Sequence, residues 1–120
     1  MMQVEQCLHT AILVSDLAQA EQFYSKVLGL EKISRSLKYE GAWYQVGNHQ
    51  FHLIVDENTK VSLTNTEKWG RNPHIAFKVK DINSAIAQLT QHNYNFQMSA
   101  SGRAALFVRD PDGNMIELSQ

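Results

Sequence analysis

An α+β fold of two tandem βαβββ modules is predicted by three features of this 120-residue sequence. The first is an internal repeat. Residues 9–17, HTAILVSDL, laid over residues 74–82, HIAFKVKDI, share His, Ala, Val and Asp and set Leu17 against Ile82, at an offset of 65 residues. The second is that the same offset carries Phe51, His52 and Leu53 onto Ile116, Glu117 and Leu118. Two collinear matches at one spacing are the mark of a duplicated unit. The third is that each copy switches in the same order from alternating apolar residues to a helical period and back to alternation. A chain of this length forms one domain, 1–120, with modules at about 4–56 and 73–120 joined by a linker, 57–72.

In the first module Leu8, Ile12 and Val14 alternate as a strand. Asp16 then caps a helix on which Leu17, Ala20, Phe23, Tyr24, Val27 and Leu28 fall at helical spacing. Gln19, three residues after Asp16, gives a capping-box variant, and Gly29 stops the helix. Three strands follow, Ile33 to Leu37, Ala42 to Val46 and Phe51 to Val55; Gly47 and Asn48 make the last turn a hairpin.

The stretch from Asp56 to Pro73 is polar and aperiodic, a linker with Trp69 as its anchor. The second module repeats the order of the first. Ile75, Phe77 and Val79 alternate, and Asp81 caps a helix carrying Ile82, Ala85, Ile86 and Leu89. Strands follow at Tyr94 to Met98, Ala104 to Arg109 and Met115 to Ser119, the last two joined by the turn Asp110, Pro111, Asp112, Gly113.

Strand parity picks out the polar residues that matter, because side chains two apart share a face. The apolar sets named above leave His9, His52, His74 and Glu117 on the opposite faces, looking toward whatever the two curved mixed sheets enclose. Of five histidines, three occupy repeat-equivalent positions, and the fourth such position holds Glu. Imidazole and carboxylate together suit a divalent transition metal such as Zn, Fe, Mn, Ni or Co. His49, at a turn, and His92, near a helix end, read as solvated polar residues. Cys7 shares parity with His9 but has no base in view, and reads as a small buried residue.

Composition excludes several partners. With 11 Lys+Arg against 12 Asp+Glu, the net charge of −1 supplies no basic field for nucleic acid or an anionic membrane. No apolar run approaches the roughly 20 residues that span a bilayer. A single cysteine and an N-terminus without a basic start or long apolar run point to a reducing cytoplasm.

The segments LHTAILVSDLAQAEQFYSKVLGLE, PHIAFKVKDI and FVRDPDGNMIELSQ make the chain resemble the vicinal oxygen chelate superfamily over nearly its whole length. That superfamily includes glyoxalase I, extradiol dioxygenases, fosfomycin-resistance thiol transferases and bleomycin-binding proteins. The resemblance implies paired βαβββ modules forming a cup around a divalent metal held by His9, His52, His74 and Glu117. It also implies a small-molecule substrate and a homodimer in which modules of different subunits can complete a site. By resemblance to glyoxalase I, Glu117 is the catalytic group, a metal-bound carboxylate that moves a proton between adjacent carbons of a hemithioacetal. The chain departs from glyoxalase I in carrying His52 where Glu is common. It also carries Leu13 where many bacterial relatives have a glutathione-clamping Arg.

The resemblance leaves two other activities open. An extradiol dioxygenase would use His9, His74 and Glu117 on Fe(II), with His52 as acid, base or orienting group. A non-catalytic member would sequester a small hydrophobic molecule. Substrate contacts are expected from Arg103 and Arg109, either of which could clamp a carboxylate or phosphate. Phe107 shares parity with Arg109, and Tyr44 is related to Arg109 by the repeat offset.

Overall fold

The computed structural model describes all 120 residues, Met1–Gln120. The chain divides into two units, Met1–Thr59 and Lys60–Gln120. The first contains β1 (His9–Val14), a helix α1 (Leu17–Glu21) that widens into a π-helical stretch (Gln22–Val27), then β2 (Glu31–Ile33), β3 (Gly41–Val46) and β4 (His49–Val55). The second contains a 3₁₀ turn (Trp69–Arg71), β5 (His74–Lys78), α2 (Ile82–Gln91), β6 (Phe96–Met98), β7 (Ala105–Arg109) and β8 (Met115–Ser119). The fold is therefore α+β, with two four-stranded mixed sheets ordered β1-β4-β3-β2 and β5-β8-β7-β6. Neither sheet closes into a barrel.

The repeat extends to the hydrogen-bonding register. His9 lies beside Gln50 and Ala11 beside His52 in the parallel β1–β4 pair. In the β5–β8 pair His74 lies beside Met115 and Ala76 beside Glu117, each position shifted by the same 65 residues. Alternation is visible in β1, where Thr10, Ile12 and Val14 turn inward while His9, Ala11 and Leu13 are exposed. The same holds in β5, where Phe77 is buried and His74 and Ala76 are exposed.

Both helices begin as their caps dictate. Asp16 accepts from the Gln19 amide at 3.0 Å, and Asp81 accepts from the Asn83 amide at 3.0 Å. They differ beyond the cap. In the first unit Leu28 N–H donates to the Phe23 carbonyl at 2.9 Å, a five-residue step that widens the turn. Ala20, Phe23, Tyr24 and Val27 are all buried on this segment. Gly29, at φ 76°, ends the segment in the left-handed region that glycine tolerates. The first core is aromatic, Phe23 and Tyr24 packing edge to face at 4.9 Å and Tyr24 lying 5.1 Å from Phe51. The second core is mostly aliphatic, built from Leu89, Leu106, Val108, Ile116 and Leu118.

Several sequence expectations are corrected. The strand expected over Ile33–Leu37 is instead Glu31–Ile33, because its last rung is Ile33 beside Trp43 and Arg35 then leaves the sheet to lie over aromatic rings. Cys7 is exposed. It precedes the first rung of the β1–β4 ladder, and its neighbour Leu8 is 64% exposed. His49 is bound within the sheet, its Nε2 sharing a 2.8 Å hydrogen bond with Thr10 Oγ1. The linker stretch is tied to the second unit from Val61 onward: Val61 N–H donates to the Asp112 carbonyl at 3.0 Å. Trp69 N–H donates to Gln97 Oε1 at 2.9 Å. No helix is long and apolar enough to cross a membrane.

Candidate active site

Each unit brings together two of the four polar residues singled out by parity. In the second, β5 and β8 are adjacent and parallel, so His74 and Glu117 lie on one face two residues apart in register. His74 Nε2 is 3.2 Å from Glu117 Oε1. The other ring nitrogen, Nδ1, donates to the Asn72 carbonyl at 2.6 Å. That bond fixes the imidazole and leaves Nε2 to face the carboxylate. With a neutral ring, two lone pairs would oppose each other there; the contact is attractive only with a proton or a cation between them. Glu117 Oε2 is 3.5 Å from Arg103 Nη1. The glutamate is buried while Arg103 is about half exposed.

Asn72 explains why His74 is held so closely. Its side chain accepts from the amides of Thr64 and Asn65 at 2.7 and 3.0 Å. It also donates to the carbonyls of Asn65 and Trp69, both at 2.9 Å. These four bonds shape the loop whose end supplies the carbonyl for Nδ1. Phe107 pairs with Glu117 across β7–β8 and meets His74 edge to face at 5.3 Å. Gly70 is needed here, since a Cβ at that position would meet the Phe107 ring at 2.6 Å.

In the first unit the His9 and His52 rings stack at 4.3 Å and 15°. The Trp43 indole stacks on His52, also at 4.3 Å, at 10°. The antiparallel register accounts for this, because Trp43 lies directly opposite His52. His52 Nε2 donates to Gln50 Oε1 at 2.9 Å. Burial pushes the His52 pKa down from the usual imidazole value, helped by the positive fields of His9, Arg35 and His49. Its ring is therefore neutral at pH 7, as a metal-ligating imidazole must be. Within neither unit are three or more His, Cys, Asp or Glu side chains grouped as a metal ion would need.

The expected substrate contacts separate. Phe107 and Arg103 lie beside Glu117 as described. Tyr44 does not share the face of His52: it lies opposite Phe51, is fully buried, and shares a 2.9 Å hydrogen bond with Ser25 Oγ. Burial raises its pKa. Arg109 is occupied by the backbone, Nη2 donating to the Val61 carbonyl at 2.8 Å and Nε to the Gly113 carbonyl at 3.3 Å. Sequence reasoning missed Asn72, Gln50 and the stacking role of Trp43. Parity held the signal for Trp43, whereas Asn72 sits in an aperiodic loop with none.

Comparison with known proteins gives this geometry a context. The family model described as the Glyoxalase/Bleomycin resistance protein/Dioxygenase superfamily matches residues 6–118. A lactoylglutathione lyase of Escherichia coli O157:H7 is 30% identical over 120 residues, covering 92% of this chain and 89% of that protein. The trypanothione-dependent glyoxalase I of Leishmania major has a TM-score of 0.73 at 25% identity, over 98% of this chain and 87% of that one. A lactoylglutathione lyase from Agrobacterium tumefaciens shares the fold with a TM-score of 0.68 at 20% identity, over 97% of this chain and 93% of that one.

Proposed function

Since the chain belongs to the Glyoxalase/Bleomycin resistance protein/Dioxygenase superfamily, we propose that it is a metal-dependent lyase of the glyoxalase I type, acting on a small substrate with neighbouring oxygens. The ligand set of the proposal is His9, His52, His74 and Glu117. The observation that carries it is the His74–Glu117 contact. Two ligands each about 2.1 Å from a tetrahedral cation are about 3.4 Å apart, and His74 Nε2 and Glu117 Oε1 are separated by 3.2 Å. The Asn72 carbonyl on Nδ1 is the outer partner such an imidazole requires. A neutral His52 supports the same reading.

A bound divalent ion would act as a Lewis acid toward the substrate's adjacent oxygens. The residues of the chain do the rest. Glu117, the catalytic group, takes a proton from one substrate carbon on a carboxylate oxygen and returns it to the next. Arg103, beside Oε2, offsets the carboxylate's charge. Phe107, packed against His74, keeps water from one side of the pair. A homodimer is part of the proposal, supported by the exposed Leu8 and Leu13 at the sheet edge.

Elemental analysis of the purified protein tests this reading. Stoichiometric divalent metal is expected, lost in His74→Ala and in Glu117→Ala, together with metal-dependent isomerisation of the methylglyoxal–glutathione hemithioacetal. A native protein with no metal affinity would instead be a binding module. Light scattering of the same sample tests the dimer.

A further inference from the structure

The arginines of the two strand-rich units differ in what their nitrogens touch. Arg109 is taken up by backbone carbonyls and Arg103 faces Glu117. Arg35 is different. Its Nη1 donates weakly to the Gly41 carbonyl at 3.4 Å, while Nε and Nη2 are shut off from solvent and have no hydrogen-bond partner. These two nitrogens form one edge of the guanidinium, the side-on fork whose parallel N–H bonds match the two oxygens of a carboxylate. Buried donors left without acceptors are uncommon in folded proteins, and a bound group is one of the ordinary reasons for them.

The surroundings suit a flat anion. The Arg35 Cζ lies over the Tyr39 ring at 4.9 Å and over the Trp43 ring at 5.9 Å, so aromatic faces hold the cation without using its fork. Trp43 in turn stacks on His52, and His52 on His9. Tyr39, Arg35, Trp43, His52 and His9 therefore make a continuous array within the first unit. Gly41, whose carbonyl takes the weak Nη1 bond, is required by the sheet itself, since a Cβ there would collide with the Leu53 carbonyl. Tyr39 is half exposed and sits in the connection between β2 and β3.

We propose that the Nε–Nη2 edge of Arg35 is a carboxylate-binding subsite, reached when the turn carrying Tyr39 moves aside, and that the small molecule bound by this protein carries a carboxylate one ring stack away from His52. The inference deepens the functional reading above by naming a class of ligand. The carboxylate can belong to the molecule that reacts or to a thiol cosubstrate.

Titration calorimetry on chelator-treated full-length protein tests it. Pyruvate is compared with pyruvamide, and glutathione with its diethyl ester. The carboxylate form of at least one pair is expected to bind about tenfold or more tightly than the neutral form. Arg35→Lys, which keeps the charge but lacks the planar fork, is expected to erase most of that preference, and Arg35→Gln all of it. A preference in the pyruvate pair assigns the carboxylate to the reacting molecule; one in the glutathione pair assigns it to the cosubstrate. Equal binding within both wild-type pairs overturns the subsite, as does a preference that survives in both variants. The lyase reading depends on bound metal, which this titration lacks, so the two can fail separately.

Discussion

At position 52 the first unit carries an imidazole stacked between two rings, whereas at the repeat-equivalent position 117 the second carries a carboxylate set between an imidazole and a guanidinium. Strand order is the same in both, as is the register of the parallel pairs β1–β4 and β5–β8. The scaffold therefore does not decide the chemistry of the face; the residue at one ladder position does. Stacking orders the first pair, and burial pushes the His52 pKa down. In the second pair an imidazole nitrogen faces a carboxylate oxygen at 3.2 Å, the geometry on which the proposed proton transfer rests. Duplication supplied two equivalent positions that now carry different residues, and in the function proposed above one of them holds while the other moves a proton.

The largest way to break this contrast is to give the second unit the residue of the first. Glu117→His keeps a metal-ligating side chain but removes the carboxylate that shuttles the proton. We expect metal content to persist while kcat falls about 10²- to 10⁴-fold, measured in the hemithioacetal assay with metal quantified in the same sample. A loss of metal in proportion to activity would remove the distinction between holding and proton transfer.

The cores provide the next contrast. Phe23 is fully buried in the aromatic core against the widened helix. Phe23→Ala is expected to cost about 3–5 kcal/mol in urea unfolding. A cost under about 1 kcal/mol, the range of tolerated surface changes, would mean that the π-helical turn is not held by its aromatic packing.

Asn72→Ala acts on the second unit alone. It removes the four bonds that shape the 64–72 loop and so loosens the carbonyl that orients His74. A 10- to 100-fold loss of metal affinity, typical of outer-shell partners, is expected from chelator competition. Gln50→Ala, which frees His52 Nε2, is expected not to weaken binding.

A smaller effect concerns pH. The folded state holds the His52 proton less tightly than the unfolded chain does. Its contribution to stability is present in full above the unfolded imidazole pKa of about 6.5 and declines as pH falls below it. Unfolding of chelator-treated protein at pH 5 and pH 7.5 measures this decline, and His52→Gln is expected to shrink it. Least of all, Lys32→Ala breaks the exposed 2.7 Å pair with Glu21 and is expected to cost about 0–1 kcal/mol.

What the sequence disclosed and what it withheld follow from the range of the forces involved. Alternation in β1 and β5 is a local consequence of the strand pleat, so the outward faces of His9 and His74 were legible. The Asp16 and Asp81 caps were legible for the same reason. Repeat offset alone misled for Tyr44: equivalence to Arg109 says nothing about face when the antiparallel partner sets Tyr44 against Phe51. The backbone bonds of Arg109 had no local signal, because one acceptor is a carbonyl 48 residues away in sequence. The widened turn at Gln22–Val27 escaped because both helical periods bury the same aromatic residues. Arg35 and Asn72 had no periodic signal at all, since each acts through a loop whose shape exists only after folding.

Every strand finds its hydrogen-bonded neighbours inside its own unit, and the first ladder is complete at Val55. During synthesis every strand of the earlier half therefore has its partners at hand once Val55 has been made, so none of its edges must wait for the later half, which shortens the time they are open to aggregation.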